Sequence, residues 1–286
     1  MNNQYFLIST SHLEDRIWFH DDDDFKVGMN LVAVAAYVCK ITMLDFILMS
    51  NHVHFVLQAS EEEALRFIHY FKLLYSKYVS TCRGKTKLLS RNSVDFRLLE
   101  DTESVMCAIA YVQMNCVAAG ICVHPSQYRW GCGSAFFNPT AQDGERLGCM
   151  SLRAQFRLTH SRVPLPDYYS VSADGVISPS SYIAVKFVEG LFRTPNRLQY
   201  YLNKSSKARK RLSNDALPAF RDQVIFAGVK DLCLTLFRKD STEQLSEDEK
   251  SDLLKQLRYR FSADITQLAR VTGILYADVC RMLDSC

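Results

Sequence analysis

Two histidines one residue apart, His52-Val53-His54, stand in an otherwise apolar stretch that runs from Asp45-Phe46-Ile47-Leu48-Met49 through Ser50-Asn51 to Phe55-Val56-Leu57. The Phe, Ile, Leu and Val around them predict a buried strand, and alternation along a strand puts His52 and His54 on one face with Val53 and Phe55 on the other. Two imidazoles one pleat apart can share a single metal ion, or can be core histidines satisfied by backbone carbonyls. The pair alone does not choose between these. Downstream, Tyr111-Val112-Gln113-Met114-Asn115-Cys116-Val117 sets a phenol and an amide at i and i+4, one helical turn apart on the same face. Facing a bis-histidine site, Asn115 would offer a third, oxygen ligand, and Tyr111 a nucleophile able to attack phosphorus and hold the product as a phosphotyrosine ester. Periodicity alone favours Tyr111 as an amphipathic core residue with its hydroxyl at the rim.

Other groups invite weaker readings. Asp21-Asp22-Asp23-Asp24 places four carboxylates in a row, but consecutive residues cannot all converge on one ion. They predict a solvated loop that supplies a helix N-cap. Tyr70, Tyr75 and Tyr78 are formal nucleophile candidates, none followed one turn on by Asn or Gln. Lys85, Lys87 and Arg91 make a basic loop and Lys207, Arg209, Lys210 and Arg211 the densest basic cluster; each is a phosphate-contacting surface or a solvated one.

The elements that must position these residues are legible in outline. Strands are expected at 5–11, 41–49, 52–58 and 94–99, and helices at 25–39, from 61 through 78, and at 103–119 with Gly120 closing the last. The order β-α-β-β-α-β-α predicts an α+β class: a ferredoxin-like antiparallel sheet with helices on one side. Breakers from Asn138 to Gly144 suggest a boundary, giving a first domain over 1–138, an irregular linker over 139–179 and a mainly helical C-terminal domain over 180–286. Within it, 247–284 reads as a helix-turn-helix, with Gly273 in the turn and Tyr276 and Arg281 outward on the second helix, able to touch DNA.

The 286 residues, 48% hydrophobic and 23% charged, have the balance of a soluble globular protein. A net charge of +3 permits an acidic partner without demanding one. No export signal and no apolar run near the roughly 20 residues of a membrane span are visible. The ten cysteines, with no Cys-x-x-Cys pair, are then expected to be reduced thiols in a cytoplasmic protein.

The stretch Met49-Ser50-Asn51-His52-Val53-His54-Phe55-Val56-Leu57 resembles the HUH motif of single-tyrosine (Y1) transposases. The later Tyr111 to Gly120 segment is similar to the tyrosine helix of their REP-associated branch, and Tyr128-Arg129-Trp130-Gly131 to the Trp-containing segment that follows it. The resemblance covers roughly residues 1–138 and departs from the pattern in three places. Ser50 stands where proline is frequent, Cys116 replaces a proline after the asparagine, and the Leu88 to Phe96 stretch lacks a Trp-Gln-x-Arg-Phe type segment.

The resemblance implies His52, His54 and Asn115 as ligands of Mg²⁺ or Mn²⁺, and Tyr111 as the catalytic nucleophile. It further implies single-stranded or hairpin DNA as the partner, a monomer or homodimer as the assembly, and cleavage and rejoining through a 5′-phosphotyrosine as the activity. The rival expectations are a domesticated, non-catalytic DNA-binding protein that keeps the fold, and a metal hydrolase in which water replaces Tyr111.

Overall fold

In the computed structural model, residues 4–10, 17–84, 94–140, 144–205, 220–261 and 263–284 are described. The expected DNA contacts Lys85, Lys87, Arg91, Lys207, Arg209, Lys210 and Arg211 lie outside the described residues. Four strands, β1 (Gln4–Ser9), β2 (Thr42–Leu48), β3 (Val53–Ala59) and β4 (Asp95–Leu99), form one antiparallel sheet in the order β2-β3-β1-β4. Helix α1 (Asp22–Cys39) links β1 to β2, and α2 (Glu61–Arg83) links β3 to β4. Both start on capped turns. Asp21 accepts the Asp24 N–H, and Ser60 with Glu63 forms a reciprocal capping box. The chain is therefore of the α+β class, as its element order predicts.

Strand register sorts the side chains into two faces. Ile8, Phe55 and Phe46 lie opposite one another on adjacent strands, and Phe55 meets the α2 rings of Phe67 and Phe71 at 5.0 and 5.4 Å. On the other face Ser9, His54 and Ile47 align, as do Leu7, Val56 and Asp45. Onto that face fold α3 (Thr102–Gln113) and α4 (Asn115–Ala118), then α6 (Val185–Phe192) and α7 (Pro195–Lys204), whose Val188, Phe192, Leu198 and Leu202 join the main core. The expectation that helices cover one side only is thus corrected. The cause is visible in β3, where the run Val53 to Leu57 is buried throughout, and a strand buried on both faces needs cover on both.

The span expected as a linker carries β5 (Glu145–Arg146), α5 (Leu152–Thr159) and β6 (Ser170–Val171). Its Leu165, Val171 and Ile177 pack on Ala33 and Val34 of α1. Further on, α8 (Asp222–Phe237), α9 (Glu247–Phe261), α10 (Ile265–Thr272) and α11 (Tyr276–Asp284) share a core of Ile225, Leu253, Leu257, Leu268 and Val279. Gly273, at φ 74°, ends α10 in a conformation that favours glycine. Among the described residues no helix is long and apolar enough to cross a membrane.

Phe55 is fully buried where β1, β2 and α2 meet. Phe55→Ala is expected to cost about 3–5 kcal/mol, read as a lower urea midpoint with an unchanged slope.

Candidate functional site

The site is built where β3, the turn before it and the α3–α4 helix meet. His54 is the second residue of β3 and is 5% exposed, on the face covered by α3. His52 lies just ahead of the strand rather than in it, half-buried, yet its ring sits 4.9 Å from that of His54, almost perpendicular at 85°. The Tyr111 ring lies 5.7 Å from His54, edge-on at 86°. His54 thus stands in ring contact with both His52 and Tyr111, two imidazoles and a phenol brought together within one chain.

The tautomer of His52 is set by its neighbour. Its Nδ1 lies 2.8 Å from Asn51 Oδ1, and since a carbonyl oxygen only accepts, this contact places a proton on Nδ1. This is the arrangement in which a second residue orients a metal-ligating histidine. Sequence reasoning missed Asn51, although its place directly before the His-x-His was the available signal.

Asn115 behaves differently from the regular helical residue expected. The helix breaks at Met114, so Tyr111 lies in the last turn of α3 and Asn115 opens α4. The Asn115 Nδ2 donates to the carbonyls of Tyr111 at 2.9 Å and Val112 at 3.0 Å. Those are the acceptors that the backbone N–H groups of residues 115 and 116 would use in an unbroken helix. With its nitrogen committed, the buried amide has only its oxygen to offer another group. Among the described residues no cluster of three or more His, Cys, Asp or Glu side chains is arranged to hold a metal. A cation at the histidine pair would therefore take its third protein ligand from an uncharged oxygen such as Asn115 Oδ1.

The other candidates fall away from this site. Asp21 caps α1 as expected, but Asp24 is fully buried rather than solvated. It accepts the Tyr78 hydroxyl at 3.0 Å and the His20 N–H at 2.9 Å. Tyr75 donates to Trp18 O at 2.7 Å. Tyr75 and Tyr78 are structural donors on α2, the helix packed against the Phe55 face and hence opposite His54. Tyr70 lies on the same helix, so α2 supplies no nucleophile to the histidines. Of the two expected DNA contacts that are described, Tyr276 is exposed. Arg281 is paired with Asp278 at 3.0 Å and Glu247 at 3.7 Å.

The segment after α4 braces the histidine hairpin. Leu48 N–H donates to Trp130 O at 2.8 Å, Tyr128 Oη to Leu48 O at 2.8 Å, and Gly131 bridges to Ile47. A Cβ on Gly131 would stand 3.1 Å from Phe46 O and 3.2 Å from the Ile47 side chain, tighter than an ordinary contact, so a larger residue would press on β2. Beneath Gln113 lies a buried acid that sequence reasoning also missed, Asp45. Its Oδ1 accepts the Cys132 thiol at 2.7 Å. Burial pushes the Asp45 pKa up to about 8, and the hydrogen bond from Cys132 offsets only part of that. The signal was a lone carboxylate inside an apolar strand. Beside Tyr111 opens a groove of ≈ 700 Å³ bordered by Ser9, Arg97 and Lys204, but also by Asp95, Asp101 and Glu103. Its charge is mixed.

Searches of family models, curated proteins and solved structures return no match to this chain.

Asp45 gives a pH test. Unfolded, the carboxyl ionises near pH 4; folded, it keeps its proton to about pH 8. Between these values the folded state binds the extra proton, so stability falls as pH rises, by at most about 1.4 kcal/mol per pH unit. Asp45→Asn, which keeps a neutral acceptor for Cys132, should flatten that fall in urea titrations between pH 5 and 8. An unchanged slope would contradict a neutral Asp45.

Proposed function

We propose that this protein is a metal-dependent nuclease and strand transferase of the HUH single-tyrosine type, acting on single-stranded or hairpin DNA. One observation carries the reading: Tyr111 and the His52–His54 pair, drawn from separate elements, meet in one chain on one face of the sheet. The connectivity β1-α1-β2-β3-α2-β4 with sheet order β2-β3-β1-β4 is that expected of a ferredoxin-like HUH domain, and it supports the reading.

In this reading His52, His54 and Asn115 hold Mg²⁺ or Mn²⁺, which, when bound, polarises the scissile phosphate and offsets charge growing on its oxygens. Asn51 orients His52. The Tyr111 oxygen, losing its proton, attacks phosphorus. The bond to the 3′ oxygen breaks, that oxygen takes up a proton, and the 5′ phosphate remains esterified to Tyr111. Attack by a second strand's 3′ hydroxyl reverses the step and returns the phenol, so no nucleotide cofactor is consumed. The α10-Gly273-α11 unit serves as a helix-turn-helix, with Tyr276 and Arg281 toward DNA. Arg281 would exchange its carboxylate partners for phosphate.

A non-catalytic DNA-binding protein is the second reading, favoured by the lack, among the described residues, of a third strong metal ligand. Incubation with hairpin-containing single-stranded DNA and Mn²⁺ separates the possibilities on a denaturing gel. The expected result is a covalent protein–DNA adduct that Tyr111→Phe abolishes, and that His52→Ala and His54→Ala reduce at least 100-fold, about the scale at which lost charge stabilisation acts. DNA binding without adduct on every hairpin tried would select the second reading. Cleavage that survives Tyr111→Phe would select hydrolysis by water.

A further inference from the structure

The turn that carries His52 does not hold itself. Ser50 and Asn51 are the two residues of a hairpin loop closed by the Met49 N–H on His52 O at 2.8 Å. Neither has a positive φ, whereas two-residue loops whose twist matches their strands need one at the first or at both positions. The support comes from outside. Trp18 and Phe19 donate their backbone N–H groups to Ser50 O at 2.7 and 3.1 Å, and the Ser50 hydroxyl donates to Asp222 Oδ2.

Asp222 opens α8 and is 5% exposed. Two side chains of α10 fix its carboxylate from the other side. Arg270 forks onto it, Nε at 2.8 Å from Oδ2 and Nη2 at 3.1 Å from Oδ1, and Gln267 Nε2 reaches Oδ1 at 2.9 Å. The neighbouring Gln223 Nε2 donates to Phe19 O at 2.9 Å, and the rings of Phe226 and His20 meet at 5.2 Å. One partly buried ion pair of the helical unit therefore ends on the loop that precedes His52. A hydroxyl bound to a carboxylate is a charge-assisted bond, among the stronger hydrogen bonds available.

We propose that Asp222 is a positioning residue for the candidate site: through the Ser50 hydroxyl it holds the loop that aims His52 at His54, making the geometry of the pair depend on the docking of α8 and α10. The consequence for metal rests on the reading of His52 and His54 as ligands; the positioning itself does not. Orientation by a second residue matters because a histidine free to turn loses affinity for a shared ion, by 10- to 100-fold in comparable sites.

Ser50→Ala is the informative variant. It removes one bond and leaves Asp222 satisfied by Arg270 and Gln267, whereas removing Asp222 leaves the half-buried Arg270 guanidinium without its partner and loosens the helical unit itself. Ser50→Thr keeps the hydroxyl and is the rescue. In the full chain, Ser50→Ala should speed amide hydrogen exchange over residues 49–54 about 10-fold, with β1 and α2 unchanged. The His52 imidazole ¹⁵N shifts should also lose their single Nδ1–H tautomer. Ser50→Thr should restore both. Titration with Co²⁺ alone, followed by visible absorption, should weaken about 10-fold in Ser50→Ala and disappear in His52→Ala and His54→Ala.

Exchange and ¹⁵N shifts that stay as in the parent overturn the proposal. Faster exchange with an unchanged His52 tautomer overturns it too, leaving a merely structural bond. If Co²⁺ binding ignores His52→Ala and His54→Ala, the metal reading fails by itself, and exchange with tautomer still decides the positioning role.

Discussion

The alternation of β3 is the constraint on which the rest depends. Phe55 points into the aromatic layer under α2, so His54 must point the other way, toward α3. A slip of one residue would send His54 into the Phe67–Phe71 layer and Phe55 onto Tyr111. The hydrophobic effect that fixes the register is thus what aims the imidazole. Pairing on both sides, to β1 and β2, leaves β3 no edge from which to slip.

Polar groups near the histidines are placed where burial makes each bond expensive to lose. The Asn115 amide replaces backbone donors at the break in the tyrosine helix, and the break separates Tyr111 from Asn115 while keeping them in hydrogen-bond contact. Asp45 beneath the same helix meets the cost of burial by remaining neutral, its oxygen shared with the Cys132 thiol. These choices share a physical logic. Burial keeps Asp45 neutral under α3, while Asp95 and Arg97, in register with Ser9 and Leu7 on the same sheet face, carry their charge at the groove beside Tyr111.

The strands and the first three helices were legible because each carries a periodic apolar pattern and a cap, as in Asp21 for α1 and Ser60 with Glu63 for α2. The meeting of Tyr111 with His54 was legible only as a spacing argument joined to a resemblance. What escaped were features decided by tertiary packing. The one-sided helical layer was inferred from the element order alone, although a strand as apolar as β3 is buried on both faces and needs cover on both. The helix α5 and its neighbours sit among prolines and glycines that read as linker, and only the fold reveals that their apolar residues cover Ala33 and Val34. The break at Met114 had a trace in the resemblance itself. A proline after the asparagine would fall in the first turn of a new helix, where its missing N–H costs little, so Cys116 occupies a position at which proline is no breaker.

The serine at position 50 takes on meaning in the same way. Proline there would stiffen the loop covalently, a gain of about 0.4–1 kcal/mol through the unfolded chain. Serine gives that up. A hydrogen bond to a charged partner contributes about 1.5–3 kcal/mol, so the bond to Asp222 more than offsets the loss whenever α8 is docked. The difference lies in what the rigidity depends on. A proline loop is stiff by itself, whereas the Ser50 loop draws part of its stiffness from Asp222, which is itself clasped by Arg270 and Gln267. Order at His52 is thereby made contingent on the helical unit, an element more than 160 residues further along the chain.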